Sequence, residues 1–296
     1  MIYLLIFGFV LVYFVSPAFR CCVGHPLNSI RYAVLDLVEY FRMKYFNLCP
    51  TGALDIFCGY FGSGKTLSAV HKVVGLYNRY NGLTVWDRRQ KKFVKQRILI
   101  LSNVSLSVPY VPLEGLAQVV AASKVNAGYD DEHGTLTVTI VLMDELSVQM
   151  NSREFKSNFN AYFLNTLLCC RHYHISFFGT SQRFAHCDKL LRDVTHNVVQ
   201  CKKIWRFQVL SWYDAWQLEN AQNPELVQPV KISAWFVRNA DYAAYDTLAV
   251  VGNLEKSFSE GDMLSEAEIL ANQVPGSGDL DRVTKPSRKL KRLRKG

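Results

Sequence analysis

The sequence predicts an α/β fold, a doubly wound and largely parallel sheet, preceded by an N-terminal transmembrane helix. Three observations predict it. From residue 53 onward, short β-branched apolar runs alternate with stretches of helical periodicity. A glycine-rich loop joins the first such run to the first such helix. Residues 1–19 carry no charged side chain. The 296 residues are 49% hydrophobic and 20% charged, which excludes a disordered chain, and no Gly-X-Y period or long heptad run marks a fibre. The length suffices for one sizeable core.

At about 1.5 Å per residue, segment 1–19 just crosses a hydrocarbon layer of about 30 Å. No basic residue precedes its apolar run, as a cleaved leader would require. Arg20, Arg31, Arg42 and Lys44 follow it, which by the positive-inside rule puts the body in the cytoplasm. The expectation is a single-pass protein of an inner (cytoplasmic) membrane, with its body on the cytoplasmic side. A buried core helix is the competing reading, and an anchor is preferred. Residues 20–52 read as a juxtamembrane helical connector. Ile30, Val34, Leu37, Phe41, Tyr45 and Leu48 recur at helical spacing over 28–48, until Pro50-Thr51-Gly52 breaks the chain.

Residues 53–58 form a strand-type run. Gly59-Tyr60-Phe61-Gly62-Ser63-Gly64-Lys65-Thr66 then matches G-x-x-x-x-G-K-[ST] in full, and Leu67, Val70, Val73 and Tyr77 continue as a helix. The chemistry explains each residue type. Gly59, Gly62, Ser63 and Gly64 let backbone N–H groups converge on phosphate oxygens at the positive end of a helix. Lys65 reaches the β- and γ-phosphates, and the Thr66 hydroxyl ligates Mg²⁺. ATP and Mg²⁺ are therefore the expected cofactors.

Residues 135–143 are a β-branched apolar run ending at Asp144-Glu145. A buried parallel strand that delivers Asp144 at its carboxyl end supplies a second Mg²⁺ contact, through water, and Glu145 polarises the attacking water. Between these motifs, 98–101 read as another buried strand. Residues 155–170 place Phe155, Phe159, Phe163 and Leu167 on one helical face, and 174–180 form a further strand ending at Ser181-Gln182-Arg183. Gln182 is placed either to sense the γ-phosphate or simply to cap its strand. A P-loop NTPase domain spanning 53–254 follows from this order.

These residues resemble the zonular occludens toxin-like ATPases, assembly proteins of filamentous phages within the FtsK/HerA-type branch of P-loop proteins. The matching stretches are 59–66, 98–106, 140–146 and, most specifically, 171–193 (RHYHISFFGTSQRFAHCDKLLRD), with Tyr245-Asp246-Thr247 near the domain end. The resemblance implies that Gln182 senses the γ-phosphate and that Arg171 and Arg192 contact a neighbouring subunit's nucleotide. It also implies a homo-oligomer, a hexamer being one form. The implied partners are single-stranded phage DNA or a DNA–protein complex, and other assembly or coat proteins. Many members place the membrane segment after the ATPase domain, whereas here it comes first.

Weaker signals complete the picture. The eight cysteines suggest buried reduced thiols rather than a disulfide framework. The Cys/His-rich stretch 169–201 has no C-x₂₋₄-C pair to hold zinc. Runs 204–213 and 230–238 suggest a terminal hairpin whose aromatics either pack the sheet or, with Arg206 and Arg238, stack on single-stranded DNA. Residues 255–296 read as a linker and a tail. Eight basic residues and no acid lie in 282–296, against a net charge of +9, so the body is nearly neutral. The tail suits nucleic-acid backbone, an anionic leaflet or solubility alone. The expected function is a membrane-anchored ATPase driving phage DNA export, packaging or virion assembly. A cellular or plasmid DNA translocase and a non-hydrolysing nucleotide-binding scaffold are the alternatives.

Overall fold

The computed structural model describes residues 1–113, 116–146 and 167–246. Contacts divide the chain after Thr247, and every described residue lies in the first unit. The helix expected over 155–170 falls largely outside the described residues, and the linker and basic tail of 255–296 lie wholly outside them.

The N-terminal segment departs from expectation. In place of one helix over 1–19 there are two, α1 (Ile2–Val15) and α2 (Pro17–Gly24), bent by 109° between Phe7–Val15 and Pro17–Gly24. Pro17 is the cause. Its ring disfavours helical backbone at the residue before it, and Ser16 is extended at φ −105°, ψ 110°. Ser16 then caps α2, its Oγ accepting the Phe19 N–H at 3.3 Å. No single helix among the described residues is long and apolar enough to cross a membrane, although this bent pair passes by length and composition. The connector helix α3 (Pro26–Arg42) stops short of the predicted 48, giving way to a 3₁₀ turn at Tyr45–Asn47.

The body is a nine-stranded mixed sheet. Its parallel centre runs β8 (Asn197–Ile204), β1 (Leu54–Cys58), β7 (Ile175–Ser181), β6 (Thr135–Met143) and β3 (Lys92–Ser102). Antiparallel strands flank it: β2 (Thr84–Asp87) beside β3, and β9 (Phe207–Asp214) then β10 (Lys231–Phe236) beside β8. The ninth strand, the two-residue β5 (Val111–Pro112), pairs in parallel with the end of β3, and β4 (Ser105–Leu106) pairs apart from the sheet with Tyr245–Asp246. The predicted terminal hairpin is thus β9–β10, but the aromatic run 204–213 is not one strand. It turns at Trp205, whose φ of 53° is left-handed.

Helices cover both faces, as the nearly unbroken burial of β1, β6 and β7 requires, and alternate residues of each strand pack on opposite sides. Ile56, Val141, Met143, Ile175 and Phe177 share one cluster with Val119 of α5 (Leu116–His133) and Leu191 of α6 (Lys189–Val194). Phe57, Ile140, Leu142 and Phe178, one residue out of phase, share the other with Ala69, Val70 and Val73 of α4 (Lys65–Tyr80). Strand β7 lies between β1 and β6, so the residues following three adjacent strands meet at one pole. All eight cysteines are free, and Cys49, Cys58, Cys170, Cys187 and Cys201 are buried.

Candidate nucleotide site

The glycine loop follows β1 and delivers the chain into α4. Gly64, immediately before the helix, has φ +82°, a left-handed backbone that disfavours any side chain. A Cβ there would stand 2.4 Å from Gln208 Oε1, and one on Gly59 would meet Ser63 Oγ at 2.5 Å and the Cys201 carbonyl at 2.9 Å. The loop is therefore closely backed by β8 and β9. Gln208 of β9, fully buried, donates from Nε2 to the Ser63 carbonyl at 2.7 Å. The Lys65 ammonium is buried; it donates to the Tyr60 carbonyl at 3.3 Å and lies 5.6 Å from the centre of the exposed Phe61 ring.

Across from the loop, β6 ends at Asp144 and Glu145. The Thr66 hydroxyl donates to Asp144 Oδ1 at 2.9 Å, joining the first turn of α4 to the end of the acidic strand. Thr180, fully buried on β7, donates to the same oxygen. It also accepts the Glu145 N–H at 3.0 Å. Asn103, beyond the end of β3, frames Asp144 from the other side, accepting its N–H at 2.8 Å and donating to its carbonyl at 3.0 Å.

Glu145 is held with a left-handed φ of 51°. Its Oε2 is buried without a hydrogen-bond partner among the described residues. Burial, and then the neighbouring Asp144 charge, push its carboxyl above the ordinary glutamate value, against the pull of Lys65. A carboxylate so placed is a competent proton acceptor with a free lone pair.

The structure brings Gly59, Gly62, Ser63, Gly64, Lys65, Thr66, Asp144 and Glu145 to one pole, with Gln182 half-buried just past the end of β7. It does not bring the two arginines there. Arg171 packs against Gly52 ahead of β1, at the opposite pole, and is exposed. Arg192 is paired with Glu219 of α7 (Ala215–Asn220) at 3.1 Å. Sequence reasoning missed Thr180, Asn103 and Gln208. A threonine inside a buried strand carries no signal of its role, and Gln208 lies some 140 residues from the loop it supports.

The donor set fits a magnesium nucleoside triphosphate. The Ser63 hydroxyl is a buried polar atom with no partner among the described residues, in a loop that excludes side chains at Gly59 and Gly64. Loop amides and Lys65 would hold the phosphates, while Thr66 and Asp144 would hold the metal. Bound magnesium would neutralise phosphate charge. Glu145 would accept a proton from water, and Thr180 and Asn103 would hold the acidic pair in place.

No protein-family model matches the chain, and no curated protein matches it. Among solved structures it is similar to the N-terminal domain of zonular occludens toxin from Neisseria meningitidis, at 16% identity over 67% of this chain and 100% of that one, with a TM-score of 0.40. It is also similar to B204, the DNA-packaging ATPase from Sulfolobus turreted icosahedral virus (11% identity, 65% and 100% covered, TM-score 0.39). A third likeness is to EssC, ATPases 2 and 3, from Geobacillus thermodenitrificans (12%, 69% and 43%, 0.38). These likenesses are distant, and the chemistry of the site rests on the residues described above.

Proposed function

We propose that this chain is a magnesium-dependent ATPase held at a membrane, working as a homo-oligomer to drive DNA export, packaging or virion assembly for a phage. The observation that carries the ATPase reading is the 2.9 Å bond from Thr66 Oγ1 to Asp144 Oδ1, which couples the glycine loop to an acidic strand end beside a desolvated glutamate. Binding alone needs no such glutamate, so turnover is favoured over a scaffold role. The DNA and phage parts rest on the sequence resemblance over 59–66 and 171–193. Support for the membrane comes from the uncharged α1 and the basic residues that follow it. Exposed Arg171, far from its own site, is free to serve a neighbouring subunit. ATP hydrolysis measured alone, with single-stranded DNA and with double-stranded DNA tests the whole reading. DNA should raise the rate. A rate blind to both polymers would remove the DNA role, and no hydrolysis would remove the enzyme.

A further inference from the structure

Helix α3 has no buried residue, yet it is strongly two-sided. At about 100° per residue, Leu27, Ile30, Val34, Leu37, Val38 and Phe41 fall within one arc about 100° wide. All six are more than half exposed. The charges are sorted around that arc. Arg31 and Arg42 flank one edge of it, whereas Asp36 and Glu39 lie on the far side. The far side is also the one tied to the body: Glu39 Oε1 accepts the Tyr45 hydroxyl at 3.1 Å, and that hydroxyl accepts Arg88 Nε at 3.1 Å.

We propose that α3 lies flat in the interface of an anionic lipid bilayer, with its apolar arc immersed, its arginines at the headgroups and its acids turned to the protein. Cations beside the apolar face and anions opposite it complement a negative lipid surface. Across α2, the uncharged and likewise exposed α1 approaches this arc, Phe9 and Ile30 lining one apolar groove with Phe19 and Val23. The proposal rests on the membrane reading above and adds an orientation to it. The connector beyond α3 is bonded to the sheet by Asn47 Nδ2 to the Thr84 carbonyl (3.3 Å) and by the Cys49 N–H to Gln96 Oε1 (2.9 Å). Gln96 sits opposite Leu136 near the amino end of β6, so the nucleotide loops at the carboxyl ends face away from the lipid.

The test uses the full chain with Cys21, Cys22 and Cys169 changed to Ser, leaving only buried native thiols among the described residues. Ile30→Cys, Val34→Cys, Leu37→Cys and Phe41→Cys, and for contrast Asn28→Cys and Asp36→Cys, both exposed and outside the arc, each carry a nitroxide. The chains are reconstituted in phosphatidylcholine vesicles with and without phosphatidylglycerol. Oxygen collision should be severalfold higher at 30, 34, 37 and 41 than at 28 and 36, with a water-soluble nickel reagent showing the inverse. Arg31→Glu with Arg42→Glu should lower the oxygen signal on phosphatidylglycerol vesicles only. Shielding of the arc from both reagents would mean a second copy or another protein covers it, and nickel access all round would mean nothing does. Either result overturns the proposal, as does an oxygen signal equal in both lipids and indifferent to the arginines. A chain that fails to float with vesicles at all removes the membrane reading itself, whatever its ATPase rate.

Discussion

Thr180→Val should leave a folded protein that binds nucleotide and hydrolyses it poorly. Valine matches threonine in shape but deletes the hydroxyl that donates to Asp144 Oδ1 and accepts the Glu145 N–H at 3.0 Å. The first bond is charge-assisted and contributes about 1.5–3 kcal/mol, and the second contributes about 1 kcal/mol. That second bond holds Glu145 at φ 51°, a backbone costing a non-glycine residue about 1–2 kcal/mol. Without it the left-handed conformer is no longer favoured. Losing about 1.4 kcal/mol of orientation is a tenfold loss of rate. We therefore expect kcat to fall at least about tenfold with KM for ATP little changed, and urea unfolding to show a loss of about 2–4 kcal/mol. Thr180→Ser should restore both. A folded Thr180→Val protein with wild-type kcat would refute the claim that this hydroxyl positions the acidic pair.

Two further outcomes follow from burial of carboxyls. Because burial and Asp144 raise the Glu145 carboxyl, and the base must be ionised to work, kcat should be lost on acidification above the ordinary glutamate range; the pH–rate profile of the wild-type protein should show that limb, and Glu145→Asp should shift it. Burial also raises the Asp55 carboxyl, against the hydrogen bond from Asn197 Nδ2 at 2.8 Å, so the native state holds that proton more tightly than the unfolded chain does. Stability should then fall as pH rises from the ordinary aspartate range through the raised value; Asp55→Asn, which keeps an acceptor for Asn197, should flatten that decline in urea titrations, and an unchanged slope would contradict it.

Where backbone pattern decides structure, the residues spoke plainly. The run 135–143 is β6 to the residue, and residues 53–58 differ from β1 by one. The loop's glycines lie where backbone demands them. Local competition was harder to read. The apolar run 1–19 breaks because Pro17 constrains Ser16, an effect that hydropathy does not register. Strand β2 has four residues and leaves too short a pattern to see before its partner β3 is known. Aromatic content also misled in part: Trp212 and Trp235 pack on the α4 face, whereas Trp205, Phe207 and Phe236 meet one another in the open at the end of the β8–β9 hairpin. Thr180 and Gln208 act through tertiary contacts alone, and spacing carries no trace of those.

The central claim is that Lys65 binds the phosphates while Glu145 acts only on the attacking water. Nucleotide affinity and steady-state ATP hydrolysis, measured side by side on the wild-type protein, Lys65→Ala and Glu145→Gln, test it most directly. Lys65→Ala should lose binding. Glu145→Gln should bind ATP as the wild type does and hydrolyse it at least about a hundredfold more slowly, the lower range for losing a general base. Hydrolysis by Glu145→Gln at the wild-type rate would contradict the account.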